Sequence, residues 1–132
     1  MTAIAYAIDR GDEKQRKFQS ALRQIGFTVK LKPFIQRSDG SAKGDWDVGI
    51  TIDVLETTRG EVATGDTTRA GKEKAVDSVI LLSGDGDFDV LLQKINQDYK
   101  VTTEVYGVPS LTANSLIESA TVYHPIESDL LI

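Results

Sequence analysis

A chain of 132 residues has the size of one ordinary domain, enough to bury a single core. Its composition, 40% hydrophobic and 27% charged, is globular rather than disordered. The absence of cysteine excludes disulfides, thiolate metal sites and cysteine nucleophiles. No apolar run approaches the roughly 18 residues of a membrane span, and the opening Met1-Thr2-Ala3-Ile4 is no secretory signal. A cytoplasmic protein with no membrane partner is therefore expected.

The net charge of −5 is unevenly spread. Residues 1–43 carry nine Lys/Arg against four Asp/Glu, whereas residues 44–132 carry six against sixteen. This asymmetry fits a phosphate-attracting surface beside a cation site, and equally fits ordinary solvated helix faces.

In chain order, Ile4–Ile8 is a short β-prone run ended by the turn cluster Asp9-Arg10-Gly11-Asp12, which can also cap a helix. From Glu13 the period changes. Phe18, Leu22 and Ile25, with Ala21 beside them, share one helix face; Lys14, Arg16, Lys17 and Arg23 lie opposite, and Gly26 is a stop. Phe27, Val29 and Leu31 then alternate with polar residues, predicting a strand that ends at Pro33. A polar loop, Gln36 to Lys43, leads to a helix starting near Asp45 or Asp47, where an aspartate caps free N–H groups and favours the dipole. Strand is the alternative there, because Val48, Ile50, Ile52 and Val54 are β-branched.

Residues 57–76 hold almost no large apolar side chain and read as a long mobile loop. Val79-Ile80-Leu81-Leu82 has the pattern of a strand buried on both faces of a parallel sheet. A helix after Phe88, a strand over Lys100–Tyr106, a helix around Ser110–Glu118 and a strand-like Thr121–Tyr123 complete the chain. The alternation predicts one α/β domain over residues 1–132, Rossmann-like, with three layers around a mostly parallel sheet.

In such sheets, ligands gather at the carboxyl ends of the strands. Ser83-Gly84-Asp85-Gly86-Asp87-Phe88 follows the buried strand and brings two carboxylates together on a tight turn, a donor set suited to Mg²⁺ or Mn²⁺. An aspartate before a helix is also commonly just a cap. With Lys43-Gly44-Asp45-Trp46-Asp47-Val48, Asp53 and Val105-Tyr106-Gly107-Val108, this turn resembles the NYN domains of the LabA-like group, in the PIN-like nuclease superfamily. The family pattern has a K-G-x-D-V segment with a second Asp six residues on, an S-G-D-x-D-F turn, and a strand ending G-V or G-F. Asp47 and Asp53 keep the spacing, with one extra residue between Gly44 and Asp47.

The resemblance implies a metal-dependent ribonuclease-like domain that hydrolyses RNA phosphodiester bonds. Asp47, Asp85 and Asp87 would form its acidic, metal-holding pocket. Asp53 would stand behind Asp47, and Lys43, Arg37 and Ser83 would contact substrate. The alternative is a catalytically inactive NYN-type regulatory or RNA-binding module. A response-regulator phosphate acceptor needs a late lysine, and none follows Lys100; no phosphate-cradling G-x-x-x-x-G-K loop occurs.

The resemblance also exposes two departures. NYN-type domains open with an apolar strand ending in aspartate, which is central in their sheet; here Ile4–Ile8 matches their second strand instead. The expectation is a longer natural protein, with a strand from another chain (a homo-oligomer included) or a non-catalytic scaffold as alternatives. Near the end, Ala120-Thr121 stands where the family often has Ala-Asp. His124, the sole histidine, has no recognisable catalytic partner and reads as structural or surface. Trp46 reads as a packing anchor, with stacking on a base as the alternative.

Overall fold

The computed structural model describes residues 2–33, 35–36, 42–43, 45–60 and 76–127. It is an α/β chain that divides into two units, Met1–Ile50 and Thr51–Ile132, with the division inside the second helix. Among the described residues no helix is long and apolar enough to cross a membrane.

In the first unit, β1 (Ile4–Asp9) and β2 (Thr28–Pro33) pair in parallel, Ile4 opposite Thr28 and Asp9 opposite Pro33. Helix α1 (Glu13–Ile25) makes the crossover. Asp12 caps its start by accepting the N–H of Lys14 at 2.8 Å. Gly26 ends it at φ 117°, a left-handed conformation that glycine adopts without a Cβ penalty.

The helix boundaries match the expectation, but the buried face does not. Phe18, Ala21 and Ile25 are exposed, and the face turned inward carries Gln15, Gln19 and Leu22. A polar tether accounts for part of this orientation: Gln15 Nε2 donates to the Ile8 carbonyl at 2.6 Å, while Gln15 Oε1 accepts the Arg10 N–H. The two ends of the expected polar loop are short strands, β3 (Ile35–Gln36) and β4 (Ala42–Lys43), paired antiparallel. Helix α2 (Asp47–Arg59) settles the helix-or-strand ambiguity in favour of helix. Residues 57–59 belong to its last turn, and residues 61–75 of the expected 57–76 loop lie outside the described residues.

The second unit contains the core. Strands β5 (Ser78–Leu82), β6 (Thr102–Gly107) and β7 (Val122–Pro125) form a parallel sheet in the order β5-β6-β7. Helix α3 (Asp89–Asp98) packs on β6 and against α4 (Asn114–Ser119). Phe88, Leu92, Ile95, Val101, Val105 and Leu116 are buried. A polar network lies among them: Asn96 Oδ1 accepts from the hydroxyls of Thr103 and Thr121, and Asn96 Nδ2 donates to the Ser119 carbonyl. Paired this way, the buried Thr103 hydroxyl escapes the cost of an unmade hydrogen bond. The helix expected around residues 110–118 is present as α4, preceded by a 3₁₀ turn at Pro109–Leu111.

Parallel pairing joins β1 to β2 in the first unit and β5, β6 and β7 in the second. The strand reading of residues 79–82 holds, but not its burial on both faces. Val79 and Leu81 are half-buried, whereas Ile80 and Leu82 are 53% and 72% exposed. Their register partners Glu104, Tyr106, Val122 and His124 lie on that same, more open face.

Candidate metal centre

The apolar strand β5 ends at Leu82, and the next five residues form a turn held by its own polar groups. Ser83 N–H donates to the Tyr106 carbonyl, extending the pairing with β6 by one residue. The Ser83 hydroxyl accepts the Asp85 N–H at 3.1 Å, and Asp85 Oδ1 accepts the Asp87 N–H at 2.9 Å. Asp85 therefore caps the 3₁₀ turn Gly86–Phe88, and Phe88, 3% exposed, anchors its far end in the core. Capping engages one carboxylate oxygen, while an ionised carboxylate offers about four acceptor sites over two oxygens. The cap and a metal role are compatible at Asp85.

Close packing holds the turn in place. A Cβ at Gly84 would collide with the Leu111 carbonyl oxygen, and one at Gly86 would lie 2.9 Å from the Ala113 Cβ and 3.0 Å from the Ser115 Oγ. The Ala113 N–H also donates to the Gly84 carbonyl. At the end of β6, a Cβ on Gly107 would collide with the Thr112 hydroxyl, and Tyr123 OH donates to the Gly107 carbonyl. Segment 111–115 is thus the seat on which the acidic turn rests. Sequence reasoning missed it; the one available signal was glycine at positions 84, 86 and 107, where a side chain would have no room beside the 111–115 segment.

Asp47 is the first residue of α2. Asp45 Oδ1 accepts its N–H at 3.2 Å, so the aspartate cap expected at this end is Asp45. Asp53 lies six residues along the same helix, at about 240° around the axis from Asp47. Lys43 lies in β4 opposite Ile35. Arg37 lies outside the described residues. His124 proves structural in its contacts: Nε2 is 3.0 Å from Glu104 Oε1, and its ring stacks on Tyr106 with centroids 4.4 Å apart.

The turn brings two hard oxygen donors within two residues at the carboxyl end of a parallel strand, where α/β sheets place their ligands. This donor chemistry fits a divalent cation of the Mg²⁺ or Mn²⁺ kind, which takes carboxylates and retains water.

Fold and turn together define a class, the α/β domains that carry an acidic turn at the carboxyl end of a parallel strand. The NYN domain pattern matches residues 1–67 and 64–127, and the chain belongs to the NYN domain family, within the PIN-like nuclease superfamily. It is similar to a solved protein of unknown function from Vibrio parahaemolyticus, at 48% identity and a TM-score of 0.81. That match covers 100% of this chain and 72% of the other. No curated protein matches significantly.

Proposed function

We propose that this domain is a divalent-metal-dependent endoribonuclease of the cytoplasm, of the LabA-like kind, with Asp47, Asp85 and Asp87 as its metal-holding carboxylates. The observation that carries the reading is the Asp85–Asp87 turn at the end of β5, in a chain of the NYN family. When bound, Mg²⁺ or Mn²⁺ would act as a Lewis acid on a phosphoryl oxygen and lower the pKa of water. The chain's own residues supply the rest. Asp85 and Asp87 hold the cation, and Asp47 contributes a third carboxylate from the start of α2. Lys43 and Arg37 neutralise flanking phosphates, and the Ser83 hydroxyl contacts substrate beside Asp85. Asp53 supports α2 behind Asp47.

The test is cleavage of a labelled single-stranded or hairpin RNA in Mn²⁺ or Mg²⁺. Asp85→Asn and Asp87→Asn should each reduce the rate by about a hundredfold or more, the scale of losing one charge-stabilising group. Equal rates in wild type and both variants would end the proposal. RNA retention without metal-dependent cleavage, unchanged in the variants, would transfer the domain to the regulatory RNA-binding reading.

A further inference from the structure

Asp47 stands one residue beyond the only tryptophan of the chain, and that tryptophan is tied to several neighbours. The Trp46 indole N–H donates to the Ala7 carbonyl in β1 at 2.8 Å. Its ring lies 5.3 Å from that of Tyr6, tilted by 59°. The Lys32 ammonium, from β2, sits 4.8 Å from the ring centroid and also donates to the Asp45 carbonyl at 3.2 Å. Gly49 lies against the ring: a Cβ there would be 2.6 Å from Trp46 Cε3. The Trp46 carbonyl accepts the Ile50 N–H at 2.7 Å. Two strands and the first turn of α2 therefore converge on one side chain, all within the first unit.

We infer that Trp46 is the positioning residue of Asp47, its indole in contact with Lys32 and Gly49 and pinned to β1. The inference rests on the proposed role of Asp47 in holding the cation. The physical reason is that a helix start frays unless its first residues are tied down. A carboxylate whose backbone frays loses affinity to the entropy of ordering it. The indole supplies the tie: a directional hydrogen bond to a strand carbonyl, a cation over the ring and a glycine packed against it. Held on several sides, this ring acts as an anchor rather than a platform for a nucleobase.

The experiment is Mn²⁺ titration by calorimetry or by the electron-spin signal of free Mn²⁺, with thermal unfolding of every variant. Asp47→Asn and Asp85→Asn report whether the carboxylates bind. Trp46→Phe keeps a ring but removes the N–H donor, and should weaken Mn²⁺ binding about fivefold, the equivalent of about 1 kcal/mol for one hydrogen bond. Gly49→Ala is the second variant. Alanine ordinarily favours a helix interior over glycine, so a Gly49→Ala protein that melts no lower yet binds Mn²⁺ several-fold more weakly isolates positioning from stability. If Asp47→Asn weakens binding while Trp46→Phe and Gly49→Ala leave it at the wild-type value, the positioning role is overturned and the metal site stands. If Asp47→Asn has no effect while Asp85→Asn does, there is nothing for Trp46 to position and the inference also fails. If neither aspartate matters, the proposed metal site itself falls.

Discussion

A Cβ at Gly84 would meet the carbonyl oxygen of Leu111, a backbone atom that cannot turn aside. Gly84→Ala should therefore destabilise the protein by about 2–3 kcal/mol, as overpacking does, and loosen the acidic turn. Thermal or denaturant unfolding checks the first effect, and an unchanged midpoint would refute it. At the neighbouring position, Asp85 shows how one residue satisfies both readings of its sequence context. Its Oδ1 takes the Asp87 N–H, as a cap does, and the carboxylate retains acceptor capacity for a cation. At the end of α2's approach, Asp45 rather than Asp47 takes the N–H at the helix start.

Among the elements, strands β6 and β7 carry a cross-strand pair whose chemistry depends on pH. The hydrogen bond from His124 holds the Glu104 carboxyl below its ordinary pKa. The Ser78 hydroxyl and the His124 charge act in the same direction, against a partial burial that raises it. A carboxylate with a lowered folded-state pKa stabilises the fold above its unfolded value and loses that contribution as pH falls through the folded one. The stability attributable to this pair should thus be intact at neutral pH and vanish on acidification below the ordinary glutamate range. Melting temperatures of wild type and Glu104→Gln measured from pH 7 down to pH 3 should converge at the acid end. A constant gap between the two curves would show that the pair does not act through ionisation. Element boundaries were largely legible because local chemistry sets them, as with Asp12 at one end of α1 and Gly26 at the other. The buried face of α1 was not: Phe18, Ala21 and Ile25 share a helical stripe, yet Gln15 ties the helix to Ile8 and a different face turns inward.

For the molecule as a whole, the outer edge of β5 has no strand partner among the described residues, and Ile80 and Leu82 stand exposed beside it. Open edges with apolar side chains promote pairing with another chain, and lysine on the edge suppresses it. Self-association that rises with concentration is expected by light scattering, with Leu82→Lys shifting the population toward monomer. A monodisperse monomer at high concentration would contradict this. The continuous apolar run Val79–Leu82 suggested burial on both faces, because a run of that kind carries no information about which neighbours are present to cover it.

The sequence by itself determined the α/β alternation, the helix caps, the parallel crossover pattern and the acidic turn, since each follows from local periodicity or from a few adjacent residues. Its short motifs carried the NYN resemblance for the same reason. Only the tertiary structure decided which face of α1 is buried, that Trp46 is an anchor on Ala7 rather than a free ring, and that segment 111–115 seats the Ser83–Phe88 turn. Those outcomes depend on contacts between residues far apart in the chain, from the 39 positions separating Trp46 from Ala7 to the close approach of Gly84 and Leu111. No local pattern encodes such contacts; packing selects them once the strands have paired.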